Sequence, residues 1–420
     1  MIKNNLITAL DIGSSKIVCF IAEADSYGRI KVKGIGHQVS HGIRAGIVID
    51  VKQAESCILA AVHSAEKMAG ETIDHAIINV SGGSLKSQVI NIETSVSGHE
   101  ITERDVSHII NQGYAYLDRE ETEILHCIPI DYAIDDSRGI KDPRGMYGDK
   151  LSTELHIITA SSTAVRNLAN CLARCHLNIE DCVATPYVSG LACLTEDEKN
   201  LGVIVLDIGS GNTSIAMFSS GKPVYVDSVA LGGSHVTRDI ARGLSTSVTY
   251  AERIKTIYGS VVSTESDERE IIDIPLSDLT SDIDADSGEM ENSYISKALL
   301  TSIIKPRMEE ILEMARKNLE SKGLYKISGP RIVLTGGASQ LQGLKELAGH
   351  IFNKHVRVGR PSQIEGLAES TKGPAFSTCV GMLQYASDKR KTFNNQSSDS
   401  QNIDKKGTIN CMVRWFQENF

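Results

Sequence analysis

Residues 203–218 read VIVLDIGSGNTSIAMF, and their centre, Leu206-Asp207-Ile208-Gly209-Ser210, repeats the five residues Leu10-Asp11-Ile12-Gly13-Ser14 found 196 positions earlier. The flanks agree in kind. Each copy is an apolar run, a turn rich in Gly and Ser, then a second apolar run, which is the pattern of a tight β-hairpin. Five identical residues in one strand–turn–strand setting predict a duplicated lobe, with one hairpin at the heart of each copy.

The turns carry the chemistry. Backbone amides of Gly13, Ser14 and Ser15 can wrap a phosphate, because Gly permits both the bend and the close approach. Lys16 adds a point charge. Gly209, Ser210, Gly211, Asn212 and Thr213 offer a second cradle. Asp11 and Asp207 supply carboxylates for a hydrated Mg²⁺, which keeps most of its waters and needs one or two such ligands. One such hairpin alone reads as an ordinary turn; two facing hairpins predict a clamp for a polyphosphate.

Two further motifs are weaker. Val333-Leu334-Thr335-Gly336-Gly337-Ala338-Ser339 reads as a strand that opens through two glycines into a helix. It is either a plain turn or a backbone surface for a flat ligand. In Ala251-Glu252-Arg253-Ile254-Lys255, Glu252 and Lys255 share a helix face, as a solvated salt pair or as partners for ribose hydroxyls.

Strands and helices mix throughout, so the class is α/β. Apolar residues three and four apart predict a helix over 53–69. Alternation predicts strands over 85–96 and 123–132, with a helix capped by Thr102 between them and a further strand over 151–160, so this region reads as an inserted α+β subdomain. A long helix over 295–319 is expected to bend or break at Pro306. The polar composition of 388–404 predicts a disordered linker.

Composition narrows the function. The 420 residues carry 43 Lys plus Arg and 53 Asp plus Glu, a net charge of −10. That balance argues against a surface built to coat nucleic acid. Eleven acids and one base, Arg269, fall between Glu265 and Glu291, so the acidity belongs to one stretch. No apolar run reaches the ~20 residues that span a bilayer, and the N-terminus does not read as a signal peptide. The nine Cys form no C-x-x-C pair. Cys171, Cys175 and His176 are too few for a closed metal site.

The last residues differ from the rest. Over 405–420, Ile409, Met412, Val413, Phe416 and Phe420 gather on one face of a helical wheel, with Trp415, the only Trp, at its edge. Lys405, Lys406 and Arg414 could meet anionic headgroups. Such a segment is too short to cross a bilayer but suits its interface, and the polar linker before it favours a detached anchor over a helix docked on protein.

Together the two hairpins, the 251–255 helix and the 333–339 turn resemble the actin-like ATPase superfamily over residues 1–387. Within it the chain is most similar to the FtsA family of bacterial cell-division proteins, on the two hairpin sequences, Ile303-Ile304-Lys305-Pro306-Arg307, the 333–344 segment and the C-terminal tail. The resemblance implies a two-lobed actin-like fold with an SHS2-like insertion in the first lobe. It divides the chain into a first core lobe (1–84, 161–199, 376–387), the insertion (85–160), a second core lobe (200–248, 306–375), its outer subdomain (249–305), the linker (388–404) and the amphipathic helix (405–420). It implies ATP and Mg²⁺, with phosphates at Gly13, Ser14, Ser15, Lys16, Gly209, Gly211, Asn212 and Thr213, Mg²⁺ near Asp11 and Asp207, ribose at Glu252 and Lys255, and adenine near Gly336 and Gly337. It also implies filaments on the cytoplasmic face of the inner membrane at the septum, contact with anionic lipids, Arg307 at the site for the FtsZ C-terminal peptide, and recruitment of later divisome proteins. One departure stands out: Thr185 occupies a place where many relatives carry an acid that orients water. Thr is a poor base, so ATP binding with slow or negligible hydrolysis is expected. Another actin-like assembly ATPase, of the shape-determining or pilus type, is the first alternative. A small-molecule kinase is the second, and no catalytic base for it is visible.

Overall fold

The structure, a computed structural model, describes residues 6–25, 27–82, 85–116, 121–275 and 292–399. Two five-stranded sheets share one topology. In the first, the order is Asn178–Ala184, His75–Val80, Leu6–Ile12, Lys16–Ala24, Ile30–Val39. In the second it is His355–Val358, Arg331–Thr335, Val203–Ile208, Thr213–Ser219, Lys222–Val229. Each has a central strand flanked on one side by two parallel strands and on the other by an antiparallel hairpin partner and a further antiparallel strand. The sequence repeat is therefore a repeat of whole lobes.

The central strands are covered on both faces, so they are continuous apolar runs rather than alternating ones. All six residues of Val203–Ile208 are buried. The helix Val51–Ala69 starts where Asp50 accepts a hydrogen bond from the Gln53 amide at 3.1 Å and stops at left-handed Gly70. It lies directly on the strand Ile30–Val39, because Gly34 and Gly36 leave no room for a Cβ beneath the Ala65 and Ala61 carbonyls.

The insertion folds as a four-stranded antiparallel sheet, Lys86–Ser95, Lys150–Ser161, Thr122–Ile134 and Ser137–Ile140, with the helix Glu103–Ala115 packed on it. Asp105 caps that helix by accepting from the Thr102 amide at 2.8 Å. The subdomain has its own small core around Ile101, Ile109, Tyr132 and Leu151. It also reaches the second lobe. His156 Nδ1 donates to the Pro223 carbonyl at 2.8 Å, Ser87 Oγ donates to His156 Nε2 at 2.5 Å, and the Val226 amide donates to Ser87 Oγ at 3.1 Å. Burial pushes His156 down to about 4. A neutral ring supplies the one donor and one acceptor this relay needs.

Two elements differ from expectation. The helix Lys297–Ser321 runs unbroken through Pro306, held by Leu300, Ile304, Met308 and Ile311, which are fully buried. The helix Ser377–Asp399 continues past Asp388, where the linker was expected to begin. Partners from elsewhere hold that extension. Lys389 Nζ donates to Asp181 at 2.6 Å, and Arg390 donates to the Leu6 carbonyl at 2.9 Å. The expected membrane helix, 405–420, and most of the acidic stretch lie outside the described residues. No described helix is long and apolar enough to cross a membrane.

Candidate functional site

The two hairpin turns face each other across a cleft of about 1040 Å³ between the lobes. Each turn closes in the same way: the Gly13 amide donates to the Lys16 carbonyl and the Gly209 amide to the Asn212 carbonyl, both at 3.0 Å. Gly13, Ser14, Ser15 and Lys16 line the cleft from the first lobe, and Gly209, Gly211 and Asn212 from the second. Glycine is required where the lobes meet: a Cβ on Gly211 would stand 2.7 Å from Ser14 Oγ and 2.9 Å from the Ala45 backbone.

Asp11 and Asp207, both buried, line the same cavity. Burial pushes Asp11 up to about 7, with Lys16 opposing and Asp207 adding to the rise. Asp207 is likewise raised by burial, but hydrogen bonds from Ser189 at 2.5 Å and Thr378 at 3.3 Å work against the shift. Lys16 is pulled down by burial, which Asp11 partly offsets. Its ammonium lies 3.5 Å over the Phe376 ring, a cation–π contact that holds the charge beside the cleft.

The opposite end is built by the second lobe. Lys255 is buried, and its ammonium donates to Glu252 at 2.6 Å, Thr237 at 2.9 Å and the Gly233 carbonyl at 3.2 Å. This is no solvated salt pair: the lysine is pinned, while the Glu252 carboxylate remains half exposed. Gly336 and Gly337 form the wall beside them. Gly336 has φ +85, and a Cβ there would meet Asp207 Oδ1 at 2.3 Å.

Thr185 lines the cavity as the first residue of the helix Thr185–Cys193. Its hydroxyl donates to the Val80 carbonyl at 3.0 Å and accepts from Asn79 at 3.2 Å, while Asn79 Oδ1 also accepts from the Ile12 amide at 2.7 Å. The hydroxyl is thus tied to the strand beside the first hairpin.

Two named residues stand apart. Thr213 is fully buried and donates to the Leu231 carbonyl at 2.9 Å, so its side chain turns away from the cleft. Arg307 lies on the helix Lys297–Ser321, paired with Asp239 at 2.6 Å and with Glu310. Asn79, Ser189, Thr378 and Phe376 were not read from the sequence, because no local pattern marks a residue whose partner lies on another element, 18 positions away for Ser189 and Asp207 and 171 for Thr378 and Asp207. Gly233 and Ser234, which open a helix onto the cleft, did carry a signal. Gly232-Gly233-Ser234 follows an apolar strand, as the 333–339 turn does.

Cys171 and Cys175 donate to the carbonyls of Val51 and Glu55 at 3.8 Å, and among the described residues no group of three metal-capable side chains occurs.

Comparison with known proteins agrees with this architecture. Residues 204–381 match the family model of the cell division protein FtsA, and residues 82–159 match that of the SHS2 domain inserted in FtsA. The cell division protein FtsA of Rhizobium meliloti is 43% identical over 91% of this chain and 87% of its own length. That of Pseudomonas aeruginosa is 32% identical over 99% of this chain and 98% of its own length. Among solved structures, a PilM-PilN type IV pilus biogenesis complex superposes with TM-score 0.62 at 17% identity, over 91% of this chain and 98% of that one. MreB5 of Spiroplasma citri bound to ADP gives TM-score 0.55 at 13% identity, over 93% and 99%. These structures establish the actin-like fold and no more. The shared sequence and the inserted SHS2 domain establish the family: the chain belongs to the FtsA family of cell division proteins.

Proposed function

We propose that this chain binds ATP with Mg²⁺ between its lobes, assembles with further copies on the cytoplasmic face of the inner membrane, and anchors FtsZ filaments there through its C-terminal amphipathic helix. The observation that carries the reading is the pair of identically closed hairpin turns facing each other across one cavity, with Lys16, Asp11 and Asp207 between them. Backbone amides from both turns would hold phosphates, Lys16 would add charge, and Glu252 would meet ribose hydroxyls beside the pinned Lys255. MreB5 of Spiroplasma citri, which shares the fold, has been solved with ADP.

The donor set suits Mg²⁺. Two buried carboxylates with raised affinity for protons, one of them raised by the other, are sites a hydrated divalent cation can satisfy. Bound there, the ion would neutralise charge on the phosphate oxygens. Thr185, already donating to a carbonyl, is a weak proton acceptor. Turnover is therefore expected below about one per second, the bottom of the usual enzyme range.

Assembly and anchoring rest on the family and on the tail sequence. One apolar side chain buried in lipid contributes at most ~1.5–3 kcal/mol, and ordering the helix offsets part of that. A single tail should bind reversibly, and many tails on one filament tightly. Arg307 is the candidate contact for the FtsZ C-terminal peptide, and later divisome proteins are further partners. The test is negative-stain microscopy on anionic lipid monolayers with ATP and Mg²⁺, with the full chain and with a chain lacking residues 405–420. Filaments on lipid are expected only with the full chain; the absence of both filaments and lipid binding would overturn the reading.

A further inference from the structure

The short hairpin of Ile43–Arg44 and Ile47–Val48 has no part in the function described so far. Its register is Ile43 with Val48 and Arg44 with Ile47, so Ala45 and Gly46 are the two turn residues. Both have positive φ, 49 and 80, the backbone of a two-residue turn that fits strand twist. Gly46 adopts it freely, whereas Ala45 does so at a cost.

That cost is offset by where the turn sits. The Gly46 amide donates to Ser14 Oγ at 3.3 Å. The Ala45 backbone lies against Gly211 of the second lobe so closely that a Cβ on Gly211 would be 2.9 Å from Ala45 Cα and N. On the first lobe's side, a Cβ on Gly82 would be 2.2 Å from the Ala45 carbonyl, and one on Gly46 would be 2.5 Å from the Ser81 carbonyl and hydroxyl. The turn is wedged between the end of the strand His75–Val80 and both cleft turns, meeting the first through the Ser14 hydroxyl and the second backbone to backbone at Gly211.

We propose that the Ala45–Gly46 turn is a clasp that positions Ser14 and closes the two lobes over the bound phosphates. It acts in two ways. The Gly46 amide occupies a lone pair of the Ser14 hydroxyl, which fixes its rotor and leaves its proton for an anion in the cleft. The Ala45 backbone bears on Gly211, so the second cradle can move outward only if this contact breaks. Both residues are positioning residues: neither needs to touch the ligand. The inference rests on the reading of the cleft as a nucleotide site and adds what governs residence there.

The test is stopped-flow displacement of the fluorescent analogue mant-ATP, with Mg²⁺, from the full chain. Gly46→Ala places a methyl against Ser81 and lifts the turn. Its expected effect is a dissociation rate about fivefold faster, the loss of roughly one hydrogen bond, with the association rate little changed. Combining Gly46→Ala with Ser14→Ala should add little to Ser14→Ala alone, because both remove one interaction. If Gly46→Ala does not fold, hydrogen exchange on the wild type decides: amides of residues 43–48 should slow on addition of mant-ATP and Mg²⁺. A folded Gly46→Ala with an unchanged dissociation rate, or no slowing of these amides while mant-ATP binds, overturns the clasp alone. No binding of mant-ATP by the wild type overturns the clasp and the nucleotide reading together.

Discussion

Ser189, on the first lobe's helix Thr185–Cys193, donates a 2.5 Å hydrogen bond to Oδ2 of Asp207, in the second lobe's central hairpin. The same oxygen accepts from Thr378 at 3.3 Å. Two helices therefore steady one cleft carboxylate from across the lobe boundary. Ser189→Ala should let the Asp207 carboxyl rise further and weaken Mg²⁺-dependent nucleotide binding about tenfold, the effect of losing one buried hydrogen bond to a charged acceptor. Titration calorimetry with and without Mg²⁺ checks this, and an equal loss in both would show that the bond serves packing alone.

Asp11 gives a pH dependence whose sign is fixed. Its folded-state pKa of about 7 lies above the 3.8 of an ordinary aspartate, so the folded state binds the extra proton between the two. Stability in divalent-free buffer should therefore fall as pH rises from about 4 to about 7. Asp11→Asn should remove that part of the slope, gain on the order of a few kcal/mol at pH 8, and lose Mg²⁺-dependent binding. Urea denaturation of both proteins at pH 5 and pH 8 measures it.

At Gly336, any side chain meets Asp207 Oδ1 and the Ile208 carbonyl within 2.6 Å, on a backbone with φ +85. Gly336→Val should cost about 1–3 kcal/mol of stability from strain alone and lower mant-ATP affinity more than tenfold. A folded variant that binds normally would remove this glycine from the site.

Lys389 should matter to the fold rather than to the cleft. Asp181 is only 5% exposed and is held by Lys389 at 2.6 Å and by the Tyr385 hydroxyl at 3.0 Å. Lys389→Met should destabilise by about 1–3 kcal/mol and speed proteolysis of the Ser377–Asp399 helix, with mant-ATP affinity nearly unchanged.

What the sequence made legible was local. The Asp-x-Gly hairpins announce themselves because strand, turn and strand are contiguous, and the repeat shows that there are two. Thr213 misled because a contiguous motif does not say which face each residue takes. It is the first residue of its strand, and its hydroxyl meets Leu231 instead of the cleft. Lys255 was undervalued for the opposite reason: its burial depends on Gly233 and Thr237, from another helix. The polar run from Asp388 reads as linker because its partners, Asp181 and the Leu6 carbonyl, lie hundreds of residues away. Pro306 predicts a break from local chemistry, and the apolar face of its helix outweighs it.

The relay through His156 and Ser87 gives the insertion a mechanical consequence. The two lobes share one apolar core, in which Val203, Val205, Ala216, Phe218 and Val333 pack with residues of the first lobe. The bonds from His156 to Pro223 and from Ser87 to Val226 add a polar tie between the insertion and the second lobe, apart from that core. Opening the jaws must stretch it. A protein that tugs on the insertion and a ligand that shuts the jaws would thus compete or cooperate through this tie, each altering the other's affinity by the same factor.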